Sequence, residues 1–137
     1  EKYLRERDVP LLIYQGRLNL IDRSPMEQGQ LQFCSDRGIG FISFSPLAQG
    51  LLTDRYLNGI PADSRMAQGG SLHPAMLTPE LLTKIREYNE EAATHGQTLA
   101  ERALSWILEQ DGVTSVLVGA SSTQQLAADL KAIDDCK

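Results

Sequence analysis

A loop of small residues, Ser45-Pro46-Leu47-Ala48-Gln49-Gly50, followed by two arginines, Arg55 and Arg65, is the stretch of this chain best equipped for chemistry. Backbone amides in such a loop and planar guanidinium groups both suit phosphate oxygens. The loop follows Gly40-Phe41-Ile42-Ser43-Phe44, an apolar, aromatic-rich run of the kind that forms a strand buried on both faces. Pro46 lacks a backbone donor and biases Ser45 away from helix, so the strand is expected to stop there. Open α/β sheets and barrels place their ligand sites at the C-terminal ends of parallel strands, where this loop would lie. A strand end followed by a surface loop with two solvated arginines accounts for the same residues equally well, and spacing does not choose between them.

Other chemistries find less support. His73 precedes Pro74 in a loop, and His95 stands at a helix end beside Gly96, where the helix dipole favours its protonated form. No pair of Cys or His has metal-ligand spacing, so no metal is expected. Ser45 does not sit in a Gly-x-Ser-x-Gly elbow, which argues against a hydrolase.

The chain has 137 residues, enough for one domain with a core, and its 42% hydrophobic and 23% charged residues are those of an ordinary globular protein. A formal net charge of -5 without a basic run disfavours nucleic acid and anionic membranes as partners. Cys34 and Cys136 are too few and too far apart for a disulfide framework, so a reducing, cytoplasmic setting is expected. No apolar run reaches membrane-spanning length and no signal-peptide pattern opens the chain. Both ends read as cut: the chain opens on Glu1-Lys2-Tyr3-Leu4-Arg5, the tail of a helix, and closes just after another.

The elements that must position the loop follow in order. Leu11-Leu12-Ile13-Tyr14 is a first strand, with Gln15-Gly16-Arg17-Leu18-Asn19 at its C-terminal end. Ser24-Pro25-Met26-Glu27 has a capping-box pattern and starts a helix carrying Leu31, Phe33 and Cys34, which Gly38 closes in a left-handed conformation. After the strand around Ile42, residues 45 to 77 form a long connection, of the length that is usually functional or mobile. Thr78-Pro79-Glu80 starts a helix that Gly96 stops, and Thr98 with Glu101 caps the next. Leu99, Ala103, Leu104, Ile107 and Leu108 recur at helical spacing there, with Trp106 packed beside the stripe. Thr114 to Val118 is a third strand, and Gly119-Ala120-Ser121-Ser122 leads into a final helix bearing Leu126, Leu130 and Ile133. Strands alternating with helices predict an α/β fold with a parallel sheet. Three strands cannot close a barrel, since the eight-stranded form needs roughly 200 residues or more.

Ser45-Pro46-Leu47-Ala48-Gln49-Gly50-Leu51-Leu52-Thr53, Tyr56, Asn58-Gly59-Ile60-Pro61, Ser64-Arg65, Ala103-Leu104-Ser105-Trp106 and Val113 to Ser121 together resemble the aldo-keto reductases. The branch they resemble most is that of the bacterial L-glyceraldehyde 3-phosphate reductases and the potassium-channel β subunits. The resemblance covers nearly the whole chain. It implies that residues 1–137 are the C-terminal part of a TIM (β/α)8 barrel, strands six to eight with their helices, in a family that binds NADPH without a Rossmann domain. Gln15 would then hydrogen-bond the nicotinamide carboxamide, and Phe44 would stack on the nicotinamide ring. Ser45, Pro46, Leu47, Ala48 and Gln49 would line the pyrophosphate. Arg55 stands where a lysine is common, Arg65 matches an arginine near the adenosine phosphate, and Gly119, Ser121 and Gln125 match the adenosine end. Without the resemblance, core packing explains Phe44 as well, and Ser122-Thr123-Gln124-Gln125 reads as a capping box.

The chain departs from the family pattern in three places. Leu18 replaces a usual Tyr, Ala128-Asp129 replaces a Glu-Asn pair, and Asp129 is expected to weaken adenine recognition. The family's catalytic Asp, Tyr, Lys and His come from the first four barrel strands, for which this chain has no counterpart. The resemblance therefore implies a fragment of an NADPH-dependent reductase of aldehydes or ketones, inactive by itself, with a small carbonyl compound as substrate. A nucleotide-sensing module like the channel β subunits, or a truncated product without function, is the alternative. Open sheet edges would make the isolated chain marginally stable or self-associating. Preference for NADPH would rest on Arg65 and Ser121.

Overall fold

Three strands frame the molecule: β1 (Ile13–Arg17), β2 (Gly40–Phe44) and β3 (Val113–Val116). They form one parallel sheet in the order β1-β2-β3, so the C-terminal ends of all three point the same way. The computed structural model describes residues 1–64, 66–69 and 72–134. Arg65 and Cys136 lie outside the described residues, and so do the roles expected of them.

The helices are α1 (Lys2–Arg5), α2 (Ser24–Glu27), α3 (Gln30–Ser35), α4 (Pro79–Thr94), α5 (Leu99–Leu108) and α6 (Thr123–Asp134). Leu31 and Cys34 of α3 and Ile107 of α5 close over Phe41 of β2, with Leu18 and Ile39, to make one core. A second core joins α4 and α5, through Ile85, Leu99 and Ala103, to the connection after β2. Trp106 packs against both cores, under the Arg23 guanidinium, which lies 4.7 Å from its ring centroid.

The capping signals before α4 and α5 act as expected. Thr78 accepts a hydrogen bond from the Leu81 amide, and Thr98 and Glu101 form a reciprocal capping box. Gly96 and Gly38 both take positive φ, which a residue without Cβ adopts at little cost.

Several expectations are corrected. β1 begins and ends later than the apolar run Leu11 to Tyr14, because pairing with β2 runs from Ile13↔Gly40 to Arg17↔Phe44. β2 is buried on the face of Phe41 and Ser43 only, and Gly40, Ile42 and Phe44 on the other face stay half-exposed. β3 spans Val113–Val116 rather than 114 to 118, and a register irregularity at Phe41/Ile42 is patched by the Thr114 hydroxyl, which accepts from the Phe41 amide at 3.1 Å. The helix expected from Ser24 is two short helices broken at Gly29, whose φ of 71° interrupts the turn. Ser24 does not cap; its hydroxyl donates to the Asp22 carboxylate at 2.6 Å.

The long connection has structure of its own. It holds three 3-10 turns and contributes Leu51, Leu52, Tyr56, Met66 and Leu72 to the second core. Scattered apolar residues without a period gave no sign of this. In α6 the apolar residues Leu126, Leu130 and Ile133 are exposed, whereas Asp129 and Ala132 are buried. The helix turns this way because the small Ala132 lets its backbone approach α5, where the Ser105 hydroxyl hydrogen-bonds the Ala132 carbonyl at 3.2 Å.

Candidate functional site

Alternate residues of a strand share a face, so the register places Ile13, Gln15 and Arg17 on the same open face as Gly40, Ile42 and Phe44. Gln15 lies within β1, not after it, opposite Ile42 and one step diagonal from Phe44. Its amide is exposed on that face. Phe44 ends β2 half-buried, with the Arg17 guanidinium 5.6 Å from its ring centroid. That distance is within cation–π range. A flat ring and a guanidinium therefore meet at the C-terminal ends of two adjacent strands, with an amide two residues back on the same face.

Ser45 follows Phe44 with φ of 52°, and Ala48, Gln49 and Gly50 also have positive φ. Non-glycine residues adopt this region at a cost, and they cluster where a loop's shape matters. Pro46 is buried, and Leu47 and Ala48 pack against the second core, so their side chains anchor the loop. The amides of Ala48, Gly50, Leu51 and Leu52 close turns onto Ser45, Leu47 and Ala48 carbonyls at 2.8–3.3 Å. Of the backbone donors expected to face phosphate, the Ala48 amide is thus spent inside the loop.

Arg55 is held by Asp63, through an ion pair of 2.9 Å and a bond to the Asp63 carbonyl at 3.1 Å. Both side chains are well exposed, so the pair is weak. After β3, Gln125 folds back on its own loop. The Ser121 amide and hydroxyl each donate to its side-chain oxygen at 3.0 Å, and its amide nitrogen reaches the Gly119 carbonyl at 3.5 Å. The Gln125 amide is capped by Ser122 at 3.1 Å. Gly119, Ser121 and Gln125 thus form one closed unit at the same end of the sheet as Ser45 but beyond β3.

Two residues of this end carry no motif in the sequence and are made visible by the fold. Asn19, 1% exposed, sits under the turn after β1. Its side-chain oxygen accepts from the Ile21 and Asp22 amides at 3.0 and 2.8 Å, and its nitrogen donates to the Ser45 carbonyl at 3.0 Å. Ser43, fully buried, donates from its hydroxyl to the Leu18 carbonyl at 2.8 Å. Asn19 is an Asx-turn residue by type, and that was the only available signal. Leu18 is a core residue with no exposure.

The remaining candidates stand apart. A cleft of about 430 Å3 between the turn after β1 and α4 is lined by Ile21, Arg23, Glu80, Lys84 and Tyr88 and includes none of the expected site residues. A second, of about 230 Å3, is lined by α5, β3 and α6 and contains Asp129, but not Gly119, Ser121 or Gln125. Burial pushes the Cys34 thiol up from its ordinary range, which makes it a packing residue rather than a nucleophile. His95 bonds the Glu91 carbonyl through Nδ1 at 3.0 Å at the end of α4. Among the described residues no helix is long and apolar enough to cross a membrane.

L-glyceraldehyde 3-phosphate reductase of Escherichia coli (strain K12) is 48% identical over 136 residues, covering 96% of this chain and 39% of that protein. A probable voltage-gated potassium channel subunit beta of Oryza sativa subsp. japonica is 35% identical over 126 residues, covering 90% of this chain and 38% of that one. The crystal structure of a thermostable aldo-keto reductase superposes with a TM-score of 0.68 at 23% identity, covering 97% of this chain and 38% of its own, and so shares the fold. The chain spans about two fifths of the length of these proteins. The family model described as "Aldo/keto reductase family" matches residues 1–135, and the chain belongs to that family.

Proposed function

We propose that residues 1–137 form the nucleotide-holding part, strands six to eight, of an aldo-keto reductase barrel that reduces a small aldehyde or ketone with NADPH. The observation that carries this reading is the convergence of Gln15, Phe44 and the left-handed Ser45 loop at the C-terminal end of one parallel sheet. The residues fit the nucleotide in part. A half-buried aromatic face beside an exposed amide suits a planar carboxamide-bearing ring. Gln15 would orient that carboxamide, Phe44 would support the ring, and the segment from Ser45 to Gln49 would follow the pyrophosphate. Gly119, Ser121 and Gln125 would meet the adenosine end. When bound, the nicotinamide supplies hydride to the carbonyl carbon.

Two features of the chain temper the phosphate contacts. Arg55 must leave Asp63 to reach a phosphate, and the Ser121 hydroxyl must release Gln125 to meet a 2′-phosphate. Preference for NADPH over NADH therefore draws on Arg65 as well. The substrate class follows the named activity of the E. coli relative, which points to a phosphorylated or simple aldehyde. A reducing, cytoplasmic setting accords with that chemistry.

Titration of the protein with NADPH, followed by nucleotide fluorescence, tests the reading. Saturable binding that Phe44→Ala and Gln15→Ala weaken at least about tenfold supports it; absence of binding refutes it. Incubated with NADPH and glyceraldehyde, this chain alone is expected to give no turnover, because the strands bearing the family's catalytic groups have no counterpart in it. Carbonyl-dependent oxidation of NADPH would overturn that. The channel-subunit relatives favour a second reading, in which the nucleotide is sensed and not turned over. Intact catalytic motifs in a full-length product would decide for the enzyme.

A further inference from the structure

We infer that Asn19 is the positioning residue of this nucleotide-holding end, a clamp that keeps Ser45 in its left-handed conformation and thereby aims Phe44 and the loop behind it. The inference rests on the functional reading above for its ligand, but the clamp itself rests on geometry. Asn19 is 1% exposed and its side chain bonds three backbone groups. Two are amides, which only donate, and one is a carbonyl, which only accepts. The orientation of the Asn19 amide is therefore fixed by its partners, with oxygen toward Ile21 and Asp22 and nitrogen toward Ser45.

The bond to Ser45 joins residues 26 positions apart and ties the turn after β1 to the end of β2. Ser45 is the first residue past the strand and carries φ of 52°, a costly conformation for a serine; its carbonyl is held from within the loop by the Ala48 amide at 3.0 Å and from the β1 side by Asn19. A second tie, from the Ser43 hydroxyl to the Leu18 carbonyl at 2.8 Å, brings the same two chain segments together one residue earlier on the first and two earlier on the second. Ser43 fixes the separation of the segments, and Asn19 sets the rotation of the peptide at which the loop begins. Gln15 and Arg17 extend from one clamped segment and Phe44 from the other, so the relative placement of ring and amide depends on this joint.

Aspartate is close to isosteric with asparagine and separates the two functions of the side chain. Asn19→Asp keeps an acceptor for Ile21 and Asp22 but turns a carboxylate oxygen toward the Ser45 carbonyl. NMR couplings and shifts of Ser45 in the wild type and Asn19→Asp read its φ directly, without any ligand. Loss of the left-handed signature in the variant supports the clamp; its retention overturns it. Three probes then read the consequence: NADPH, reduced nicotinamide mononucleotide and adenosine 2′,5′-bisphosphate. Asn19→Asp should weaken the first two by about tenfold and leave the third unchanged, since the unit of Gly119, Ser121 and Gln125 lies beyond β3. Equal weakening of all three would mean general destabilisation and overturn the positioning role. No weakening of the first two would overturn it as well. If the wild type binds none of the probes, the functional reading falls with Asn19's part in it, while the Ser45 measurement still decides the clamp.

Discussion

Replacing Asp129 by leucine is expected to stabilise the protein at neutral pH. Asp129 is 7% exposed on the buried side of α6, and its Oδ2 has no hydrogen-bond partner. The cleft it lines is walled by Leu104 and Leu108 of α5, Thr114, Ser115 and Val116 of β3 with Val118 just beyond, and Leu130 and Ile133 of α6. None of these is a cation. Arg102 of α5 is committed to Glu91 and Glu109 at 3.4 and 3.1 Å, and Lys131 is exposed. A buried polar group left unsatisfied costs about 1–3 kcal/mol, more when charged. Leucine removes that cost and fills part of the roughly 230 Å3 cleft with a side chain matching its walls. A gain of about 1–3 kcal/mol corresponds to a rise of roughly 3–6 °C in Tm per kcal/mol for a domain of this size. The pH dependence gives a separate check. Burial raises the Asp129 pKa above its ordinary value of 3.8, so the folded state binds this proton more tightly than the unfolded state. Stability from this group is present below pH 3.8 and is lost as pH rises through the raised folded value. Thermal melts of wild type, Asp129→Asn and Asp129→Leu across pH 4 to 8 should show a downward slope in the wild type that both variants reduce. Lower stability of Asp129→Leu at pH 7, or an unchanged slope in Asp129→Asn, would refute the reasoning.

Two further changes probe the sheet and the caps. A Cβ at Gly16 would stand 2.7 and 2.9 Å from Cζ and Cε2 of Phe41, which is fully buried, so Gly16→Ala should cost about 1–3 kcal/mol in chemical denaturation. Adding Phe41→Leu should cost less on the Gly16→Ala background than alone, because the clash is then relieved. Thr98→Ala removes the acceptor of the Glu101 amide at 3.2 Å and should cost about 0.5–2 kcal/mol, with Thr98→Ser restoring most of it in the same titration.

Local chemistry was legible where it acts over a few residues. Thr78 and Thr98 cap α4 and α5, Gly38 and Gly96 take positive φ, and β2 runs from Gly40 to Phe44 as its composition implied. The motifs from Ser45 to Arg65 and from Val113 to Ser121 also carried the family, which the match over residues 1–135 shows. These features depend on nearest neighbours in sequence, so the sequence holds their determinants.

Features set by distant neighbours needed the tertiary structure. The frame of β1 followed its pairing with β2, not its own apolar run, because a strand's register is a property of two segments. Scattered leucines in the connection after β2 became core only when α4 and α5 supplied the other side. Arg55 met Asp63, and Asp129 turned inward against α5, each through contacts no spacing rule records. Asn19 is the clearest case. Its residue type announces a turn, but its bond to Ser45 exists only because parallel pairing brings the ends of β1 and β2 side by side. The sequence by itself determined the local caps, turns and the family motifs; the packing decided which of the motif residues share an end of the sheet, and which are already engaged with one another.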